Sequence, residues 1–134
     1  MKIALGQFAV AKDWRINLEK CLTLMADSEA QNAKVLVLPE AVLARDIADP
    51  TLVLREAQPI DGPFMRAILN KSKTLKIATV FTIHIPAEDG KVMNSLFMIR
   101  EGRIIAQYDK LHLYDAFSVK ESDSTAQGMY IPPL

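Results

Sequence analysis

Lys34-Val35-Leu36-Val37-Leu38-Pro39-Glu40 is a short run of apolar and β-branched residues that breaks at a proline and then delivers a carboxylate. A continuous apolar run, unlike an alternating one, suits a strand covered on both faces. Pro39 has no N–H to give a ladder, so it ends the pairing and leaves Glu40 at the carboxyl end of the strand. Active groups of open α/β sheets sit at that end. A glutamate there can equally begin a solvated loop, so the meaning of Glu40 depends on what the rest of the chain sets beside it.

Upstream of this strand, Lys2 to Phe8 reads as a first strand and Asp13 as the cap of a helix. In that helix Trp14, Leu18, Cys21, Leu22, Met25 and Ala26 recur at helical spacing, a stripe that should lie on a sheet. Cys21 belongs to the stripe, so the only cysteine reads as a small core residue and not as a nucleophile, which needs an exposed, electropositive setting. Asn32 ends the helix, and the two strands and the helix form a β-α-β unit, expected to be parallel with a right-handed crossover.

Downstream, Ala44 to Pro50 reads as loop and Thr51 to Glu56 as at most a short helix. Pro59-Ile60-Asp61-Gly62-Pro63 is a turn, after which Phe64, Met65, Ile68, Leu69 and Leu75 trace a second amphipathic helix. Ile77 to Ile85, Val92 to Ile99 and Arg103 to Tyr108 read as strands, separated by Glu88-Asp89-Gly90 and Glu101-Gly102, with the last two strands in a hairpin. The order predicts an α/β (α+β) domain: a mixed sheet with two main helices on one face.

The chain has 134 residues, enough for one domain, with 16 basic and 16 acidic side chains and half of its residues hydrophobic. The balanced charge removes the basic footprint of a nucleic-acid binder. No run reaches membrane-spanning length, and the amino terminus enters a strand pattern without a cleavage signal, so a cytoplasmic location without a membrane partner is expected. One cysteine excludes an internal disulfide framework.

The second charged group of interest is Lys110, in Tyr108-Asp109-Lys110-Leu111-His112-Leu113-Tyr114-Asp115, where a lysine leaves a β pattern much as Glu40 leaves its own. Read alone, such a lysine is a solvated surface residue. His112 and Asp115 do not make a metal site, because zinc needs three or four ligands and the other histidine, His84, belongs to another strand. A hydrogen bond holding its own loop is the plainer role for each.

Leu38-Pro39-Glu40, Lys110-Leu111-His112-Leu113-Tyr114-Asp115 and Glu121-Ser122, in this order and at these separations, resemble the amino-terminal half of the nitrilase or carbon-nitrogen hydrolase superfamily. Gly6-Gln7-Phe8 and Met93-Asn94-Ser95-Leu96 are also similar to it, and Leu43-Ala44-Arg45-Asp46 together with Lys110 to Asp115 most resembles the bacterial deaminated-glutathione amidases. The resemblance covers essentially the whole chain. It implies a four-layer αββα sandwich, no cofactor, and hydrolysis of a small amide by a Glu-Lys-Cys triad. Glu40 matches the general base, Lys110 the cation that stabilises the oxyanion, and Glu121 a second glutamate that helps position substrate or lysine, with His112 in support.

The departure from the family pattern is the nucleophile. The family's cysteine lies farther past the lysine than the 24 residues that follow Lys110 here, and Cys21 sits on a helix stripe and not at a strand end. Residues 1–134 therefore read as the amino-terminal portion of one carbon-nitrogen hydrolase domain, truncated before the cysteine. The expected partners are a small amide substrate and either the missing carboxy-terminal half or a second copy in a homo-oligomer. Two alternatives remain: a catalytically inactive fragment or assembly subunit of the same fold, and an independent ligand-binding module. The second is weakened by the absence of any glycine-rich phosphate loop among only five glycines.

Overall fold

The structure is a computed structural model, and it describes residues 1–109. Its elements are β1 (Ile3–Leu5), α1 (Trp14–Ala30), β2 (Val35–Val37), α2 (Leu52–Glu56), α3 (Pro63–Ser72), β3 (Ala78–Pro86), β4 (Val92–Arg100) and β5 (Arg103–Asp109), with one 3₁₀ turn at Glu88–Gly90. The five strands form one sheet in the order β1-β2-β3-β4-β5. β1, β2 and β3 run parallel, and β3, β4 and β5 are antiparallel neighbours, so the sheet is mixed as expected.

Local chemistry sets the boundaries. Asp13 caps α1 by accepting a hydrogen bond from Arg15 N at 2.9 Å. Asn32, with φ of 64°, lets Ala33 N reach back to Ser28 O, a left-handed stop that needs no glycine. The buried Gln58 side chain caps α3 through Phe64 N. Glu101 and Gly102 both have positive φ, the mirror-image turn that suits a two-residue hairpin, and Gly102 N donates to Ser72 Oγ.

Three expected boundaries move. β1 is shorter than Lys2 to Phe8: Gly6 N still bonds Val37 O, but the next residue of β2 that faces β1 is Pro39, which has no N–H to give. α3 starts at Pro63, whose missing N–H costs nothing at a first helical position, and stops at Ser72. Leu75 therefore lies past the helix, though still against the core. The buried line of α1 runs Asn17-Cys21-Met25-Ser28, with Trp14, Leu18 and Leu22 flanking it, so two polar residues share the stripe read as apolar.

Registers sort the side chains by face. Leu36, Phe81, Ile83, Phe97 and Ile99 face α1 and α3, where they join Cys21, Met25, Phe64, Met65 and Ile68 in one core cluster. Phe81 sits edge-on to Phe64 with ring centroids 6.0 Å apart, and 5.9 Å from Phe97. The opposite face carries Ile3, Leu5, Val35, Val37, Val80, Thr82, Leu96, Met98 and Tyr108. There Ile3 is 57% and Leu5 68% exposed, and Val37 and Tyr108 are exposed as well. Among the described residues no helix is long and apolar enough to cross a membrane.

Candidate active site

Glu40 leaves β2 just past Pro39, and the backbone around it is clamped to β3. Leu38 N donates to Val80 O at 2.9 Å, Ala41 N to Thr82 Oγ1 at 2.7 Å, and Val42 N to Thr82 O at 3.0 Å. Ala41 holds φ of 53°, a left-handed conformation unusual for a residue with a side chain and of the kind that clusters at functional sites. The turn is held from a second side. Asn17, fully buried on α1, donates Nδ2 to Leu43 O at 3.0 Å and to Ala11 O at 2.9 Å, while its Oδ1 accepts from Ala11 N at 2.7 Å. Three bonds from one buried amide thus fix the chain directly after Glu40 against the segment that leads into α1. Such a fully satisfied buried polar group rigidifies its surroundings.

Glu40 borders a cleft of about 180 Å³ whose other walls are Thr82, Asn94, Leu96 and Tyr108. These four come from three different strands, yet the registers place all of them on the face away from α1 and α3. Thr82 pairs with Leu96 and Leu96 with Tyr108, while Asn94 stands one pleat further along β4, opposite His84. The cleft is smaller than the roughly 300 Å³ at which drug-sized ligand sites begin, so it suits one end group of a ligand and not a whole molecule. Asn94 is only 6% exposed, and its Oδ1 has no hydrogen-bond partner among the described residues.

A wider hollow, about 360 Å³, lies beside α1 between Gln7, Phe8, Glu19, Lys20, Thr23 and Leu24. Its polar walls are surface side chains, and Lys20 Nζ rests 5.3 Å from the centre of the Phe8 ring. No buried polar group faces it.

Of the residues singled out in the sequence, Glu40 opens into the cleft and Cys21 lies in the core on the other side of the sheet. Cys21 is fully buried, and burial pushes its thiol up to about 12. Lys110, His112, Asp115 and Glu121 lie outside the described residues. β5 ends at Asp109, the residue just before Lys110 in the chain. Sequence reasoning assigned no role to Thr82, Asn94, Tyr108 or Asn17. The signal for the first three is the strand register, which the sequence does not state. Asn17 is visible only as a polar residue at a core position of the α1 period.

The parallel β-α-β start leads into a mixed sheet with a glutamate at a strand end beside a cleft, an α/β fold whose family the comparison with known proteins names. The carbon-nitrogen hydrolase profile matches residues 2–132, and the chain belongs to that family. The deaminated glutathione amidase of Escherichia coli is 42% identical over all 134 residues of this chain, which correspond to 51% of that protein. Among solved structures, the C. elegans NitFhit protein superposes with a TM-score of 0.85 at 20% identity, over 98% of this chain and 34% of its own. A mutant of the Nesterenkonia amidase, with acrylamide added to its active-site cysteine, gives a TM-score of 0.80 at 21% identity over 99% of this chain and 52% of its own. These two share the fold. The chain spans about half the length of the curated relatives it matches.

Proposed function

We propose that these residues supply the base and the oxyanion-stabilising cation of an amidase acting on a small ω-amide such as deaminated glutathione, with the thiol supplied from outside residues 1–134. The observation that carries this reading is the placement of Glu40: a carboxylate at a strand end, its backbone held on both sides by hydrogen bonds, opening into a cleft sized for one end group. Cys21 supports the second clause. A buried thiol pushed up to about 12 stays protonated at neutral pH, and the sheet lies between it and Glu40.

The chemistry proceeds through an acyl thioester. A free thiol, with a pKa near 8.5, is mostly protonated at neutral pH and needs a base beside it. Glu40 takes its proton as sulfur bonds to the amide carbon, and the carbonyl electron pair moves to oxygen, where the Lys110 ammonium stabilises the negative charge. The carbon–nitrogen bond then breaks, the nitrogen leaving as ammonia with the proton that Glu40 held. Water attacks the thioester with Glu40 again taking the proton, which restores the thiol and releases the acid. Glu121 and His112 position substrate or lysine.

The apolar face opposite α1 and α3 fits the same picture: a second sheet laid upon it would make the four-layer αββα sandwich that the family resemblance implies. Either the carboxy-terminal half or a second copy of the chain would supply that layer. Alone, residues 1–134 are expected to turn over no amide. The test is ammonia release from deaminated glutathione with and without a cysteine-bearing carboxy-terminal half. Activity should require that half and be abolished by Glu40→Gln or Lys110→Ala. Release by residues 1–134 alone would contradict the proposal.

A further inference from the structure

Buried polar atoms are satisfied as a rule, so each exception calls for an explanation. Two side-chain oxygens break the rule among the described residues: Thr79 Oγ1 on the covered face and Asn94 Oδ1 beside the cleft. Thr79 is fully buried on the covered face and lines neither of the two hollows described above. Asn94 differs, because the same residue that holds an unpartnered oxygen also forms a wall of the Glu40 cleft.

From this we infer that Asn94 is the specificity-determining residue for a primary carboxamide, its Oδ1 accepting a hydrogen bond from an N–H of the group that reacts. The inference rests on the amidase reading of this cleft and adds the group that tells an amide from an ester. Asn94 is the wall whose acceptor is both buried and unpartnered: Leu96 is apolar, Thr82 Oγ1 already accepts from Ala41 N at 2.7 Å, Tyr108 is exposed to solvent, and the Glu40 carboxylate is needed for proton transfer. Asn94 Oδ1 is shielded from solvent. The Cβ–Cγ torsion of asparagine is broad and nearly two-fold, so a half turn brings the oxygen round to an entering ligand. A carboxamide offers two N–H donors and an ester none. A site built around such a donor rejects the analogue that lacks it, because the protein's own polar atom is then left unpaired.

The experiment has two arms. In the first, propionamide and methyl propionate are titrated into residues 1–134, and the Asn94 side-chain resonances are followed by NMR. Propionamide should move them and bind more tightly than the ester, and Asn94→Leu should weaken propionamide roughly 10- to 100-fold, the size of one lost buried hydrogen bond, while leaving the ester unchanged. Asn94→Asp, which keeps an acceptor, should retain the preference for the amide. Asn94→Leu removes an unpaired polar atom, so the variant should melt no lower than the parent. Equal binding of the two probes, or binding of neither, overturns the inference. In the second arm the cysteine-bearing half is added, and kcat/KM is compared for an ω-amide and its methyl ester. Asn94→Leu should lower the amide value and spare the ester, and an equal fall in both overturns the inference. If the unaltered assembly hydrolyses neither compound while Asn94-dependent binding of propionamide persists, the amidase reading fails and the carboxamide site stands.

Discussion

Phe81 and Thr82 are neighbours on β3 and point to opposite sides of the sheet. Phe81 is enclosed between Phe64 and Phe97 under α3, in a face with its large side chains almost wholly buried. Thr82 looks the other way, into a cleft shared with a carboxylate, an amide and a phenol, on a face that leaves Ile3 and Leu5 mostly in solvent. One side of the sheet is therefore complete, and the other is shaped to receive something. That contrast accounts for the position of the candidate site. The polar side chains of the cleft stand where the core does not need them, and the Cys21 thiol, which the core does need, lies on the other side of the sheet.

The contrast is breakable by paired truncations. Phe81→Ala should cost about 3–5 kcal/mol, the usual range for emptying a buried aromatic site, and a large part of the roughly 5–15 kcal/mol that holds a domain of this kind together. Leu5→Ala on the opposite face should change stability by about 0.5 kcal/mol or less, as exposed positions do. Both are read by urea denaturation, and equal losses would mean that the two faces are alike.

A smaller effect follows from the exposed apolar side chains, which are of the kind that recruits a partner or aggregates. Residues 1–134 alone should self-associate in sedimentation velocity and bind a hydrophobic dye, and the double change Leu5→Lys with Val37→Lys should reduce both without loss of folding. A monomer that binds no dye before any change would show that the face is already covered.

Cys21 sharpens the comparison from the covered side. Its pKa, raised by burial, favours the protonated thiol in the folded state, so that contribution to stability is intact below the ordinary thiol range and fades only as pH climbs toward about 12. Iodoacetamide at pH 8 should label Cys21 only after urea unfolds the chain, as followed by intact mass. Rapid labelling of the folded protein would place the thiol outside the core.

The smallest effect lies away from both faces. The Arg55 guanidinium, 2.6 Å from Asp49, together with Thr51, lowers the Asp49 carboxyl to about 2. A depressed carboxylate pKa stabilises the folded state above the ordinary range near 3.8, and that contribution is lost as pH falls toward 2. The pair lies at the surface, so Arg55→Ala should leave stability at pH 7 nearly unchanged while the Asp49 midpoint in an NMR pH titration rises toward 3.8. An unmoved midpoint would show that Arg55 is not its cause.

How far the sequence discloses this arrangement can be followed residue by residue. The run from Lys34 to Glu40 yields both a strand and the carboxylate past its end, because a proline stops a ladder wherever it occurs, but β2 is covered on one face only, with Leu36 buried and Val37 exposed. The hairpin of β4 and β5 was readable from Glu101-Gly102, since only a few turns tolerate two positive φ values. Strand ends were less legible. β1 stops early because the residue of β2 that would face it after Val37 is Pro39, which has no N–H, and which side of the strand Pro39 faces is set by the pairing. Asn17 and Ser28 escaped the helical stripe because a polar residue at a buried position sends no hydrophobic signal. Thr82, Asn94 and Tyr108 became one group only once three registers were known, and a slip of one residue in any of them would turn its side chain to the other face. Lys110 and Glu121 keep the roles that the family resemblance implies for them, as part of the proposal.

The most direct test of the account asks which side of the sheet holds the chemistry. Residues 1–134 are combined with the cysteine-bearing half, and ammonia release from deaminated glutathione is measured for the unaltered chain, Glu40→Gln and Cys21→Ala. The account predicts that Glu40→Gln abolishes release, while Cys21→Ala keeps it near the parent rate with only the stability loss of a small cavity. If Cys21→Ala stops the reaction and Glu40→Gln does not, the covered face carries the chemistry and the account is wrong.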